Sequence, residues 1–403
     1  MLKVLVADKF ETSGLEDLRA ADCDVIYEPD LKGESLRDAL VRTGAEVLVV
    51  RGTAVGAEVI EAARQLGLIV RAGAGFNNID VATASARGIL VSNCPGKNAV
   101  AVAELAFGLI IALDRRIVEN VTDLRRGVWN KKDYSVARGL KGRRLGIIGM
   151  GTIGREVARR ARAFSMHVSA WSRSLTAASA HDWGVERVPT IGELAANCDI
   201  LSIHVAAAPE TKGFITREVL EMLAPGSIVI NTSRADVMDY AALAEVMVKN
   251  NLRVGLDVFP SEPAGGQAEF LPQIVKAGGV VYGTHHIGAS TDQAQDAIAA
   301  ETVRIVRAFA ATGQAPNCVN IETESPAHWQ LVVRHFDKVG VLAAVLNKLQ
   351  QAHINVEEMH NTVFQGAKAA VAVIQLGREP EASLIDEIAA MRDMIIHVEV
   401  KPL

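Results

Sequence analysis

The run Arg144-Leu-Gly-Ile-Ile-Gly-Met-Gly-Thr-Ile-Gly154 constrains the fold of this chain more than any other stretch. It reads as a buried strand (Leu145 to Ile148), a glycine turn, and a helix from Ile153 to Phe164. Gly149, Gly151 and Gly154 form a G-x-G-x-x-G pattern. The first glycine permits a tight turn, the second lets backbone approach a pyrophosphate, and the third lets helix and strand pack closely. The helix start, with Thr152 and Ile153, offers unpaired N–H groups and a positive dipole end to phosphate. A parallel sheet that binds a dinucleotide is the expectation.

A chain of 403 residues exceeds one ordinary core, so two or three domains are expected. Its 49% hydrophobic and 22% charged residues are those of a globular protein, and neither the net charge of −5 nor any Lys/Arg block offers a nucleic-acid surface. Cys23, Cys94, Cys198 and Cys318 are scattered, which suggests reduced thiols and no zinc site. No metal is expected. The N-terminus opens on a strand, Lys3 to Ala7, with no secretory pattern. The longest apolar stretch, Ala99 to Leu113, is broken by Glu104 and falls short of the ~20 residues of a membrane span. A cytoplasmic protein without a membrane partner is expected.

Strand and helix patterns alternate along the chain. Strands are predicted at Val4–Ala7, Val25–Tyr27, Val47–Val50, Ile69–Ala72 and Ile89–Ser92, with helices Ser13–Ala21, Ser35–Arg42 and Ala57–Gln65 between them. Such alternation means a parallel sheet covered on both faces. A second α/β unit has predicted strands Leu145–Ile148, His167–Trp171, Ile200–His204, Ile228–Asn231, Val254–Leu256 and Val280–Tyr282. Long helices Ala99–Arg115 and Asp292–Thr312 flank it and are placed to cross between domains. The expected organisation is a flavodoxin-like α/β substrate domain at 1–100 and 290–321, a doubly wound Rossmann domain inserted at 101–289, and a tail at 326–403 beyond the polar linker Glu322-Thr-Glu-Ser-Pro326. The tail reads strand, helix, two strands, helix, strand (Gln330–Arg334, Gly340–Ala352, Asn355–Phe364, Ala367–Gln375, Ser383–Met391, Ile395–Val400), the order of a ferredoxin-like α+β domain.

Three segments follow apolar strands of the second unit: Asn231-Thr-Ser-Arg234, Leu256-Asp-Val-Phe-Pro-Ser-Glu262-Pro, and Gly283-Thr-His-His286-Ile-Gly-Ala-Ser-Thr291. Ligands of open parallel sheets bind outside the carboxyl ends of strands, so Arg234, Glu262 and His286 are placed at a bound nicotinamide. Oxidising an alcohol by hydride transfer needs a base for the hydroxyl proton. A histidine suits this, and a neighbouring carboxylate favours its charged form and fixes its tautomer. Arginine holds a carboxylate by two parallel hydrogen bonds, better than lysine at a planar site. The same strand ends are expected to bring Val205, Thr232, Asp257 and Gly288 to the cofactor. Adjacent His285 and His286 do not have metal-ligand spacing.

On these residues the chain resembles the D-isomer-specific 2-hydroxyacid dehydrogenases over nearly its whole length, and within them the phosphoglycerate dehydrogenases. The matching stretches are Val70-Arg-Ala-Gly-Ala-Gly-Phe-Asn-Asn-Ile-Asp80, Gly96-Lys-Asn-Ala-Val-Ala-Val-Ala-Glu104, the glycine turn, the three segments above and a tail similar to the ACT domain. The resemblance implies Arg234 as carboxylate binder, Glu262 as partner and His286 as acid/base. It implies oxidation of 3-phospho-D-glycerate to 3-phosphohydroxypyruvate, the entry to serine synthesis, in a homodimer or homotetramer, with Trp129 at a subunit contact. Arg51 and Arg71 match positions that hold the substrate's phosphate or carboxylate, with Gly73, Ala74 and Asn98 beside them. In the tail, His335 and Asn355 match contacts that ACT domains make to a serine effector across a dimer, and Asp337 stands where asparagine is common. Alternatives are a glyoxylate or hydroxypyruvate reductase and, from another class, a nucleotide-sensing binding protein or corepressor.

Several positions depart from the family pattern. Ala235-Asp236 follow Arg234 where two glycines are usual, and His285 replaces a proline. The acid expected ~20 residues beyond the glycines, which binds the ribose of NAD, is replaced by Ser172 followed by Arg173. No carboxylate there repels a 2′-phosphate and Arg173 can bind one, so the residues lean to NADP while the family leans to NAD.

Overall fold

The computed structural model describes residues 1–263, 267–322 and 325–403. Thr323 and Glu324 of the expected linker lie outside the described residues. The chain forms two compact units, Met1–Asn320 and Ile321–Leu403.

The first unit holds two parallel sheets. One comprises β1 (Leu2–Val6), β2 (Cys23–Tyr27), β3 (Val47–Val50), β4 (Leu68–Arg71) and β5 (Leu90–Asn93), in the order β2-β1-β3-β4-β5. This is the flavodoxin-like order. Successive residues of each strand feed opposite faces, as the strand's period of two requires. Leu5, Leu48 and Ile69 join one buried cluster with Leu36, Leu40 and Ile60. Val4, Val6, Val47, Val49 and Val70 join the other, with Ile298, Ile305 and Val306. Those last three belong to helix Asp292–Thr312, so the chain returns to cover the first sheet after leaving the second. Each such side chain contributes about 1.5–3 kcal/mol by burial.

The other sheet comprises β6 (Arg144–Ile148), β7 (His167–Trp171), β8 (Glu186–Arg187), β9 (Ile200–Ile203), β10 (Ile228–Asn231), β11 (Arg253–Leu256) and β12 (Val280–Gly283). Its order, β12-β11-β10-β9-β6-β7-β8, is the doubly wound nucleotide-binding order carrying one more strand at its β12 edge. Sequence patterning found six of its seven strands. It missed β8 because two charged residues carry no periodicity; they pair only with Ser169 and Ala170. Helix Ala99–Arg115 packs one face through Phe107, Ile110 and Leu113.

The second unit is an antiparallel sheet of β13 (Trp329–Phe336), β14 (Val356–Val363), β15 (Ala369–Leu376) and β16 (Ile395–Pro402), ordered β14-β15-β13-β16. Helices Val341–Gln351 and Ala382–Ala389 bury Val345, Leu349 and Ile388 against Leu331, Val333 and Ile374. The architecture is the expected one: two doubly wound sheets and a ferredoxin-like module.

Candidate active site

The glycine turn joins β6 to helix Thr152–Ala163. Gly149 has φ +95°, and a Cβ there would sit 2.5 Å from the His204 carbonyl oxygen. A Cβ on Gly154 would overlap the Gly149 carbonyl, so the helix is seated directly on the turn. Above Gly151 nothing lies within 4 Å, and no side chain caps the helix start. Free N–H groups facing open space at a helix N-terminus fit a pyrophosphate. Ser172 and Arg173 follow the end of β7, with Arg173 exposed.

Ile153, in the first turn of helix Thr152–Ala163, lines a cleft of about 1510 Å³ within the first unit, whereas Gly149, Gly151, Thr152, Gly154, Ser172 and Arg173 are not among its lining. Beyond the strands of the first sheet come Arg51, Arg71, Gly73 and Ala74, and from the start of helix Ala99–Arg115 comes Asn98; the second sheet's side adds Val205, Thr232, Arg234, Asp257, Glu262, His286 and Gly288. Arg71 and Arg234 cross the loop Gly73–Gly75 where no side chain stands. A Cβ on Gly73 would overlap the Arg71 guanidinium, and one on Gly75 the Arg234 Nη2. Burial first, then the nearby charges of Arg234 and Arg51, pushes the Arg71 guanidinium down to about 10. It remains a cation at neutral pH. Its Nε is buried without a partner. A cluster of guanidinium groups in a partly dry cleft is a strong anion site.

Arg234 is positioned by the buried Asn231 at the end of β10. Asn231 Oδ1 accepts from Ser233 N (3.0 Å) and Ser233 Oγ (2.8 Å), and its Nδ2 donates to the Arg234 carbonyl (3.0 Å). Residues Ala235–Val237 continue as a 3-10 turn, a right-handed conformation that needs no glycine. The departure from the family pattern at Ala235 and Asp236 is accommodated there.

His286 Nδ1 lies 2.7 Å from Glu262 Oε2. The carboxylate accepts, so Nδ1 carries the proton and Nε2 is left to exchange one with a ligand. Glu262 Oε1 accepts from Phe259 N at 2.7 Å. Burial pushes the Glu262 carboxyl up, but the His286 and Phe259 hydrogen bonds and the charges of His286 and Arg234 hold it below its ordinary range. Both members of the pair adjoin unusual backbone: Ser261 (φ +59°) and His286 (φ +53°) are left-handed. Such conformations persist where surrounding contacts over-determine them.

Asp257 supplies those contacts. It is buried at the end of β11. Its Oδ1 accepts from Thr284 Oγ1 (2.6 Å) and Ile287 N (2.8 Å), its Oδ2 from Gly288 N (2.8 Å). Asp257 and Gly288, expected at the cofactor, therefore tie down the loop that presents His286. Thr232 Oγ1 and His204 Nδ1 line the same wall, buried and without partners. Burial pushes the His204 imidazole down to about 3, so it is neutral.

Sequence reading missed His204 and Asp8 as site residues. Asp8, just past β1, accepts from the amides of Arg51 (2.6 Å), Gly52 (3.1 Å) and Thr53 (3.0 Å) and sets the Arg51 loop. The rule that sites lie beyond strand ends could have found it.

In the second unit the three residues matched to an effector site, expected to act across a dimer, stand apart within one chain. His335 is buried, its ring between the Phe336 carbonyl (2.8 Å) and the Asn361 amide (3.1 Å). Asn355 Nδ2 donates to Glu357 at 2.8 Å, and Asp337 is exposed. Register places Val356 level with Trp329 and Val363 near His335. His335 and Asn355 thus stand at opposite ends of the sheet, roughly 20 Å apart at the usual rise per residue. Among the described residues no group of three His, Cys, Asp or Glu side chains could hold a metal ion.

A glycine turn fit for a dinucleotide, a guanidinium cluster and a carboxylate–imidazole pair together can hold an anion beside a group that exchanges a proton. The comparisons with known proteins point to one family. The family described as D-isomer specific 2-hydroxyacid dehydrogenase, NAD binding domain, matches residues 107–288. The D-3-phosphoglycerate dehydrogenase of Mycobacterium bovis is 37% identical over 353 residues, 85% of this chain and 64% of that protein. The chain thus spans just under two thirds of that relative's length. The hydroxypyruvate reductase of Thermotoga maritima is 41% identical over 260 residues, 64% of this chain and 82% of that protein. An NAD+-bound 3-phosphoglycerate dehydrogenase from Entamoeba histolytica superposes with a TM-score of 0.66 at 26% identity, covering 79% of this chain and 99% of the other. The chain belongs to the D-isomer specific 2-hydroxyacid dehydrogenases.

Proposed function

We propose that this protein oxidises 3-phospho-D-glycerate to 3-phosphohydroxypyruvate, the entry step of serine biosynthesis. The observation that carries the reading is the Glu262–His286 pair, 2.7 Å apart, in one cleft with Arg234, Arg51 and Arg71. Arg234 holds the C1 carboxylate and polarises the neighbouring carbon–oxygen bond. His286 Nε2 takes the proton of the C2 hydroxyl as the C2–H electron pair departs with its hydrogen. Glu262 stabilises the imidazolium that results. A bound nicotinamide dinucleotide supplies the hydride acceptor. In the reverse direction protonated His286 donates. Arg51 and Arg71 take the phosphate, a dianion suited to paired guanidinium groups. Residues 1–100 and 290–321 act as substrate domain, 101–289 as nucleotide domain and 326–403 as regulatory domain.

The cofactor is NAD or NADP, and Ser172-Arg173 favours tolerance of the 2′-phosphate. The same pair favours a second reading, a glyoxylate or hydroxypyruvate reductase, as does the likeness to a protein of that name. The enzyme works in the cytoplasm as a homodimer or homotetramer, with exposed Trp129 at a subunit contact. Serine binds between tails of two copies, since His335 and Asn355 of one chain stand too far apart to share it. Steady-state assay of 3-phosphoglycerate and hydroxypyruvate with each cofactor tests substrate and cofactor together. His286→Asn should lose roughly 100-fold or more in turnover. Near wild-type turnover in that variant would refute the acid/base role.

A further inference from the structure

Glu301 is a buried carboxylate in the middle of helix Asp292–Thr312, away from the reacting groups, and it binds four donors. Its Oε1 accepts from Arg304 Nη2 (2.6 Å) and Asn317 Nδ2 (2.7 Å), its Oε2 from Arg304 Nε (3.1 Å) and Lys97 Nζ (3.2 Å). Two of these partners lead to the cleft. Asn317, left-handed at φ +56°, also donates to the Asn93 carbonyl (3.2 Å), and Asn93 Nδ2 donates to the Ala74 carbonyl (2.5 Å). Lys97 directly precedes Asn98, which lines the cleft and opens helix Ala99–Arg115. Ala74 is the centre of the loop on which the Arg71 and Arg234 guanidinium groups rest.

We propose that Glu301 is a positioning residue for substrate. Through Asn317 and Asn93 it fixes the loop Gly73–Gly75 beneath the two guanidinium groups, and through Lys97 it fixes the start of the crossing helix at Asn98. The inference rests on the reading of that cleft as the hydroxy-acid site. Its chemistry is consistent: the Arg304 hydrogen bond, outweighing burial and joined by Asn317 and Lys97, holds the Glu301 carboxyl down at about 2, so the anchor keeps its charge throughout the physiological range. The hydrogen bonds of paired guanidinium groups to an anion depend on their planar geometry, so a remote anchor that holds the loop beneath them is enough to set substrate affinity.

The test measures KM and kcat for 3-phosphoglycerate with NAD, NADH affinity by fluorescence titration and melting temperature, in wild type, Glu301→Gln, Asn93→Ala and Lys97→Met. KM should rise about tenfold in the first two variants and about threefold in Lys97→Met, with kcat within about threefold and NADH affinity unchanged. The double variant Glu301→Gln/Asn93→Ala should raise KM little beyond either single change, because both cut one relay. Lowered melting temperatures with unchanged KM would make the network structural only and overturn the proposal. Should Glu301→Gln fail to fold, Lys97→Met, whose side chain is part-exposed, decides: an unchanged KM overturns the proposal. Wild type without turnover on 3-phosphoglycerate would refute the proposed function and this inference with it; wild-type turnover with unmoved variants refutes this inference alone.

Discussion

Glu262 does two jobs with two oxygens: Oε2 orients His286 and Oε1 anchors on the Phe259 amide. Glu262→Gln keeps the shape and loses the charge that stabilises imidazolium, so kcat should fall by roughly 10- to 100-fold while KM moves little. Arg234→Lys tests the fork geometry. A point charge cannot pair with a carboxylate bidentately, so KM for the hydroxy acid should rise by about tenfold or more, read from initial rates. Gly75→Ala acts on the same contact from the other side: its Cβ would displace Arg234 Nη2, so the same KM rise should appear with no change in any charged group. Glu262 and Arg234 were legible because each follows an apolar strand in a chain already marked by its glycine turn. Asp257 was legible as a site residue but not in its role. Nothing in the sequence tells that its oxygens are filled by Thr284, Ile287 and Gly288.

At the scale of elements, helix Asp292–Thr312 was read to the residue because its ends are marked. Thr291 caps it by accepting from Ala294 N, and Gly313 closes it at φ +72°. Helix Ala99–Arg115 was equally legible from its long apolar face. Strand β8 was not, and neither was the Glu301–Asn317–Asn93 relay, whose members are polar residues from three distant segments with no shared period. The relay gives the first unit an acid sensitivity. Glu301 titrates near 4.5 when unfolded and at about 2 when folded. A depressed folded value contributes stability that is present above about pH 4.5 and is lost as pH falls toward 2. Melting curves should therefore show wild type losing its advantage over Glu301→Gln across that window. In the glycine turn, Gly154→Ala would drive a Cβ into the Gly149 carbonyl and should cost about 1–3 kcal/mol and weaken dinucleotide binding, read by denaturation and NADH titration.

Over the whole molecule, the sequence carried the architecture of both units, since alternating strand and helix patterns leave few ways to cover two parallel sheets. It carried less about the tail. The resemblance implies that His335 and Asn355 hold serine across a dimer, and the register of β13, β14 and β15 sets the two at opposite ends of one sheet. Regulation by serine then requires two copies, and millimolar serine should lower the rate and raise the melting temperature of the oligomer only; no change in either would leave the tail as a structural module. As proposed, guanidinium, carboxylate and imidazole act on one carbon in the cleft of the first unit. A crystal structure of the protein with NAD and 3-phosphoglycerate would show whether they do. The C1 carboxylate should rest on Arg234, with the C2 hydroxyl within about 3 Å of His286 Nε2. The acid bound elsewhere, or an imidazole turned from the hydroxyl, would contradict it.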